Sequence, residues 1–180
     1  MPRLTIPGRE TAPAASKPLL DAVDKQLGIV PNLFRLVGTS PAALEGLLGL
    51  SGALGRTLDV GTRERIAIAT AEVNGCDYCL SAHTYLALNV AKLDEAEVAL
   101  NRKGRSEDAK ADAVVAFAVK VARQRGKVSD TDIAAVKLAG FSEAQLIEIV
   151  ANVAVSMLTN FVNNVAETEI DFPVVRAQAA

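Results

Sequence analysis

Tryptophan is missing from the 180 residues, and all aromatics together make up 4% of them. With 50% of residues hydrophobic, the core must be built from Ala, Val and Leu, side chains that let helices approach closely. Charge of one sign is missing as well. Nineteen Lys and Arg stand against 21 Asp and Glu, a net −2, which argues for no nucleic acid and no membrane as partner. Strand alternation, internal repeats and low-complexity tracts are absent. No apolar h-region opens the chain; Pro2, Pro7 and Pro13 break up the first fifteen residues instead. No secretory signal is expected, and the expected location is cytoplasmic. Cysteine is scarce, with two residues, and histidine scarcer still, with one. Two thiols spaced this closely are no secreted disulfide framework; the spacing reads as redox or metal chemistry.

What is present is helical. The pattern predicts an all-α, compact helical bundle of about seven to nine helices, one domain over 1–180. Residues 1–15 are expected to form an extended arm, lying on a neighbouring subunit, and 170–180 an extended or subunit-swapping tail. Ser16-Lys17-Pro18 starts a helix that Gly28 ends. A short helix follows Pro31. Ser40-Pro41 opens another, whose Gly46, Gly49 and Gly52 permit close backbone approach. Leu93 to Arg102 reads as a polar helix with Asp94, Glu95 and Glu97 suiting its dipole. Ser106 opens the next, to about Arg125. Ser129 and Ser142 read as N-caps, the second in a capping box with Gln145. The helix from about Ser142 to Asn164 is apolar almost all round, so it is expected to be the central core helix. Glu148, Asn152 and Asn160 interrupt it as a membrane span.

The chemistry is concentrated in Cys76-Asp77-Tyr78-Cys79-Leu80-Ser81-Ala82-His83. Residues at i, i+3 and i+7 share a helix face, so both thiols and the imidazole point one way. Asn74-Gly75 is a chain-break signal that puts Cys76 at a helix N-terminus, where the dipole and free N–H groups favour a thiolate. Upstream, Asp59 to Arg65 reads as the capped start of a helix ending at Asn74-Gly75. On one straight helix Glu64 and Cys76 would lie about 18 Å apart. A reversal at Asn74-Gly75 instead sets Glu64 opposite His83, which makes a carboxylate–imidazole–thiol relay. Glu72 is a rival base that the spacing does not reject. Arg63 and Arg65 are read as solvated. Asn160, Asn163 and Asn164 either cap backbone groups or line the site.

The pattern Glu64-x11-Cys76-x2-Cys79-x3-His83 resembles the signature of the alkylhydroperoxidase D-like branch of the carboxymuconolactone decarboxylase superfamily, in its peroxidase-related subgroup. Val30-Pro31-Asn32-Leu33-Phe34-Arg35, Thr62-Arg63-Glu64-Arg65 and Glu169-Ile170-Asp171-Phe172-Pro173 are similar to that subgroup too, so the resemblance spans nearly the whole chain. It implies a helical, oligomeric fold (a trimer or hexamer, with a dimer open) and a thiol peroxidase or dithiol–disulfide oxidoreductase that uses no cofactor. It further implies Cys79 as the attacking thiolate, Cys76 as the resolving thiol, His83 as general base and Glu64 as proton relay. A hydroperoxide would be the substrate and an external dithiol the reductant. Helix-terminus position alone favours Cys76 as the attacker. Tyr78 stands where some relatives carry a second histidine, leaving a simpler relay.

Two rival readings come from other classes. The thiol pair senses redox state or holds a metal in an oligomer without turnover, with Glu64 as a fourth zinc ligand. Alternatively, the chain is a carboxymuconolactone decarboxylase-like enzyme whose activity survives loss of both cysteines.

Overall fold

The computed structural model describes residues 2–178. Met1 of the expected arm and Ala179 and Ala180 of the expected tail lie outside the described residues. Among those described there are nine α-helices and no strand: α1 Lys17–Leu27, α2 Asn32–Val37, α3 Pro41–Leu54, α4 Val60–Val73, α5 Asp77–Asn89, α6 Glu95–Arg102, α7 Ala109–Arg123, α8 Asp130–Leu138 and α9 Glu143–Ala166.

The caps follow from side chains that accept the free N–H groups of each first turn. Asp59 Oδ1 accepts from Thr62 N at 2.9 Å, and Ser40, Asp94, Asp108, Ser129 and Ser142 do the same for α3 and α6–α9. Both Ser129 and Ser142 form full capping boxes. Helix α7 begins later than expected. Asp108 is its cap, and the Ser106 hydroxyl donates instead to Glu97 Oε1 at 2.6 Å.

The central helix is α4, not α9. Ile66 to Ala71 are buried without a gap, because their small and β-branched side chains let α5, α6, α7 and α9 pack around them. Ile68 feeds one core cluster, with Leu44, Leu80 and Ala87. Ile66 feeds the other, with Val114, Phe117, Val136 and Ile149. Helix α9 buries only one face, through Ile149, Val153, Ser156, Asn160 and Asn163. Its other face leaves Ile147, Leu158, Phe161 and Val165 between 50% and 67% exposed. By length and composition α9 could cross a membrane; in this fold it packs along α3, α4, α5, α7 and α8. The α3 glycines give no close approach within the chain, since a Cβ at Gly46, Gly49 or Gly52 would meet nothing within 4 Å.

Both ends lie on the same chain. In the arm, Arg3 N donates to Ala166 O at 2.7 Å and Arg35 Nε to Pro7 O at 2.9 Å. The tail runs across the start of α5: Val175 N donates to Ser81 Oγ at 2.9 Å and Ala177 N to Asp77 Oδ1 at 2.8 Å.

Candidate active site

Asn74 and Gly75 reverse the chain between α4 and α5. Gly75 sits at φ +60°, a left-handed conformation that glycine adopts without steric cost. Cys76 is thereby the N-cap of α5, and its Sγ accepts the Cys79 N–H at 3.4 Å. The reversal lays α5 alongside α4 and brings the distant carboxylate in: His83 Nδ1 and Glu64 Oε2 are 2.8 Å apart. Nδ1–H donates to the carboxylate, which leaves Nε2 as the free, basic nitrogen.

Glu72 does not compete for this place. It lies eight residues beyond Glu64, about 80° round the helix. There its carboxylate accepts from Arg102 Nε at 2.7 Å and from Gln178 N at 2.6 Å. The two arginines before and after Glu64 are not solvated as expected. Arg63 donates to the Leu58 carbonyl and stands in the wall of the site cavity. Arg65 donates to the buried Glu97, Nε to Oε1, at 2.5 Å. Glu97 is therefore no free dipole charge. It also accepts from Asn101, Ser106 and the Glu107 N–H.

The cavity holds about 200 Å³ and is bounded by α2, α3, α4, α5 and α9. Leu33, Phe34, Leu47, Leu54 and Val155 supply an apolar wall. Glu64, Cys79 and His83 all open on it, whereas Cys76 does not line it. Both cysteines are almost wholly buried, Cys76 at 0% and Cys79 at 2% exposure. Arg63, His83 and the Cys79 thiol thus line one mostly apolar chamber.

The two thiols are electrostatically unlike. A hydrogen bond from Cys76 stabilises the Cys79 anion most; burial opposes it, and the His83 charge and the Asn163 and Asn160 amides favour it, bringing the Cys79 thiol down to about 6. The same shared hydrogen bond, with burial and the Cys79 charge, pushes Cys76 far above the ordinary thiol range. For His83, burial works against the charged form, but the Glu64 charge and hydrogen bond and the Cys79 charge raise it overall. The surroundings thus favour a Cys79 anion and a charged His83 together, with the Glu64 carboxylate behind the ring. Tyr78 contributes shape: its OH accepts from Leu33 N at 3.1 Å, and its ring meets the Phe172 ring edge-on at 6.0 Å.

The asparagines that the sequence left undecided divide their tasks. Asn163 Nδ2 donates to Cys79 Sγ at 3.3 Å, and Asn160 lies buried beside it. Asn164 Nδ2 donates to the Asn74 carbonyl at 2.9 Å and so caps α4. Among the described residues, no group of three or more His, Cys, Asp and Glu side chains is placed to hold a metal ion.

Residues 41–124 match the Carboxymuconolactone decarboxylase family. The matched span runs from α3 to the end of α7, so it contains Glu64, Cys76, Cys79 and His83; Asn160 and Asn163 lie outside it. Solved structures show the fold over nearly the whole chain. An alkylhydroperoxidase AhpD core, an uncharacterized peroxidase-related protein from Ralstonia eutropha JMP134, shares 24% identity over 94% of this chain and 92% of its own, with a TM-score of 0.84. An uncharacterized peroxidase-related protein from Silicibacter sp. TM1040 shares 21% over 93% and 91%, with a TM-score of 0.80. The debrominase Bmp8 shares 21% over 94% and 92%, with a TM-score of 0.78, and a cysteine-to-alanine variant of it is known in complex with 2,3,4-tribromopyrrole. No curated protein matches the chain. The same fold thus carries peroxidase-related and debrominase proteins alike.

Proposed function

We propose that the protein is a thiol-dependent peroxidase acting on small apolar hydroperoxides. One observation carries this reading: the lower-pKa thiol, Cys79, opens on the cavity beside the Glu64–His83 pair, with Cys76 directly behind it. His83 takes the Cys79 proton through Nε2 while Glu64 holds the ring. The thiolate attacks the O–O bond of the hydroperoxide. Sulfur gains an oxygen as sulfenic acid, and the alkoxide leaves as an alcohol with the proton from His83. The Cys76 sulfur then displaces water from the sulfenic acid to give the Cys76–Cys79 disulfide, and an external dithiol reduces it by exchange. A cavity of about 200 Å³ suits one ring or a short alkyl chain; an apolar cavity of roughly 150 Å³ accepts benzene.

The reading includes a homo-oligomer, for which the exposed apolar stripe of α9 is the support, one functional domain and a cytoplasmic location. The debrominase likeness supports a second reading, reductive dehalogenation of a single halogenated ring. There the carbon–halogen bond is replaced by carbon–hydrogen, halide leaves, and the thiol pair supplies the two electrons as it becomes a disulfide. Single-turnover consumption of cumene hydroperoxide, with sulfenic-acid trapping, tests the first. Cys79→Ser should consume none, and Cys76→Ser one equivalent with trappable sulfenic acid. No peroxide consumption by the wild type, together with halide release from a halogenated pyrrole, would favour the second. Full activity in both cysteine variants would return the chain to decarboxylase-like chemistry.

A further inference from the structure

Two buried amides on α9 are not explained by packing. Asn160 is fully buried; its Oδ1 accepts from Asn74 Nδ2 at 2.8 Å, yet its own Nδ2 has no hydrogen-bond partner. Asn163, 2% exposed, directs Nδ2 to Cys79 Sγ at 3.3 Å and leaves Oδ1 unpartnered. Buried amides are normally satisfied, and an orphan donor costs stability. Here the unfilled donor lies beside a sulfur whose neutral thiol offers only a weak acceptor. A thiolate is a full acceptor with several lone pairs and takes both N–H groups. The two residues are three apart on one helix, so their side chains share a face. The Asn74 amide, at the α4 end of the chain reversal, fixes which edge of Asn160 points at the sulfur.

We propose that Asn160 and Asn163 form a two-amide cradle for the Cys79 thiolate, and that Asn74 positions it. Asn163 is a catalytic residue in this scheme, because it touches the reacting sulfur; Asn74 is a positioning residue. The cradle deepens the reading of Cys79 as the attacking thiol, on which it rests, but its test needs no peroxide. The titratable and charged groups facing Cys79 are Cys76 and His83 from α5, the neighbouring Tyr78, and from α4 Glu64, through His83, and Arg63, in the wall of the same cavity. The α9 side brings amides only, so it favours the anion without adding a charge.

The experiment is the pH dependence of iodoacetamide alkylation at Cys79, resolved by mass spectrometry on the full chain, with circular dichroism confirming the fold. At pH 5, below the Cys79 midpoint, Asn163→Leu and Asn160→Leu should each react about tenfold more slowly, as expected for loss of one charge-assisted hydrogen bond. Asn163→Asp, which sets a carboxylate against the thiolate, should react about a hundredfold more slowly. At pH 10, where the thiol is ionised in every variant, the rates should converge with wild type. Asn160→Leu should also lower the melting point more at pH 8 than at pH 5, because the Nδ2 donor is filled only by the anion; a purely structural asparagine would lower it equally at both pH values, through the lost Asn74 bond, and leave the titration alone. Should a variant at either position fail to fold, Asn74→Ala reports on the cradle from the half-buried end, with a slowing of about threefold at pH 5. Folded variants that alkylate at the wild-type rate at pH 5 overturn the cradle. Wild type that titrates as expected but consumes no peroxide would overturn the peroxidase reading and leave the cradle standing.

Discussion

Cys76 holds two positions at once, as N-cap of α5 and as hydrogen-bond donor to the Cys79 anion, and comparing Ser with Ala at this position separates them. Serine keeps both: its hydroxyl caps the Cys79 N–H and donates to the thiolate. Alanine keeps neither. Sulfur at 3.4 Å is a weak acceptor, so the lost cap sits at the low end of the usual range, about 0.5–1 kcal/mol. The lost donor to an anion is worth about 1.5 kcal/mol, or about one pKa unit. Cys79 should then titrate about one unit above its position in Cys76→Ser. The sign for stability follows from linkage. The folded Cys79 thiol is depressed from 9.0 to about 6, so its contribution is fully present above the unfolded value and lost as pH falls through the folded one. Below pH 6, Cys76→Ala should trail Cys76→Ser only by the cap, about 1–4 °C in melting temperature. Above pH 7 the gap should widen by a further ~1.4 kcal/mol, about 3–6 °C. Calorimetry at pH 5 and pH 8, with Cys79 alkylation on the same samples, checks both halves. Ala and Ser variants with one pH-independent gap and one Cys79 midpoint would refute the dual role.

Three further outcomes are expected. His83→Ala should slow single-turnover peroxide attack by about 10²–10⁴; Glu64→Gln should cost less if it only orients the ring, and Glu72→Gln should leave the rate unchanged because that carboxylate is held by Arg102. Glu97→Gln should cost about 3 kcal/mol in denaturant unfolding, since it strips the charge that Arg65 pairs with in a buried setting. Burial opposes that charge, but Arg65, the Glu107 N–H, Ser106 and Asn101 bring the carboxyl to about 2. The wild-type advantage should therefore hold above pH 4.5 and fade as pH drops toward 2, and an advantage that persisted at pH 2 would contradict this. Phe161→Asp with Leu158→Asp should dissociate the proposed oligomer in light scattering without unfolding the chain; a wild type that is monomeric at micromolar concentration removes the oligomer instead.

The local half of this protein was legible in the sequence. Caps, chain breaks and the shared face of Cys76, Cys79 and His83 depend on residues within a turn or two of one another, where backbone geometry dictates distance. Gly75 had to reverse the chain, and reversal had to bring α4 against α5. The family resemblance then favoured Glu64 over Glu72, a choice spacing could not make. Tertiary structure made it physically, because which carboxylate meets the imidazole depends on how α4 is rotated against α5 and α6. The same holds for Arg65, read as solvated until α6 brought Glu97 to it. Helix α9 misled for a related reason. An apolar composition all round says that a helix avoids water, not which face its own chain covers, and here α4 took the centre. Asn160 and Asn163 stood out least. An asparagine in an apolar helix is one residue among many until packing sets it against a sulfur 84 positions away, and only the folded chain could do that.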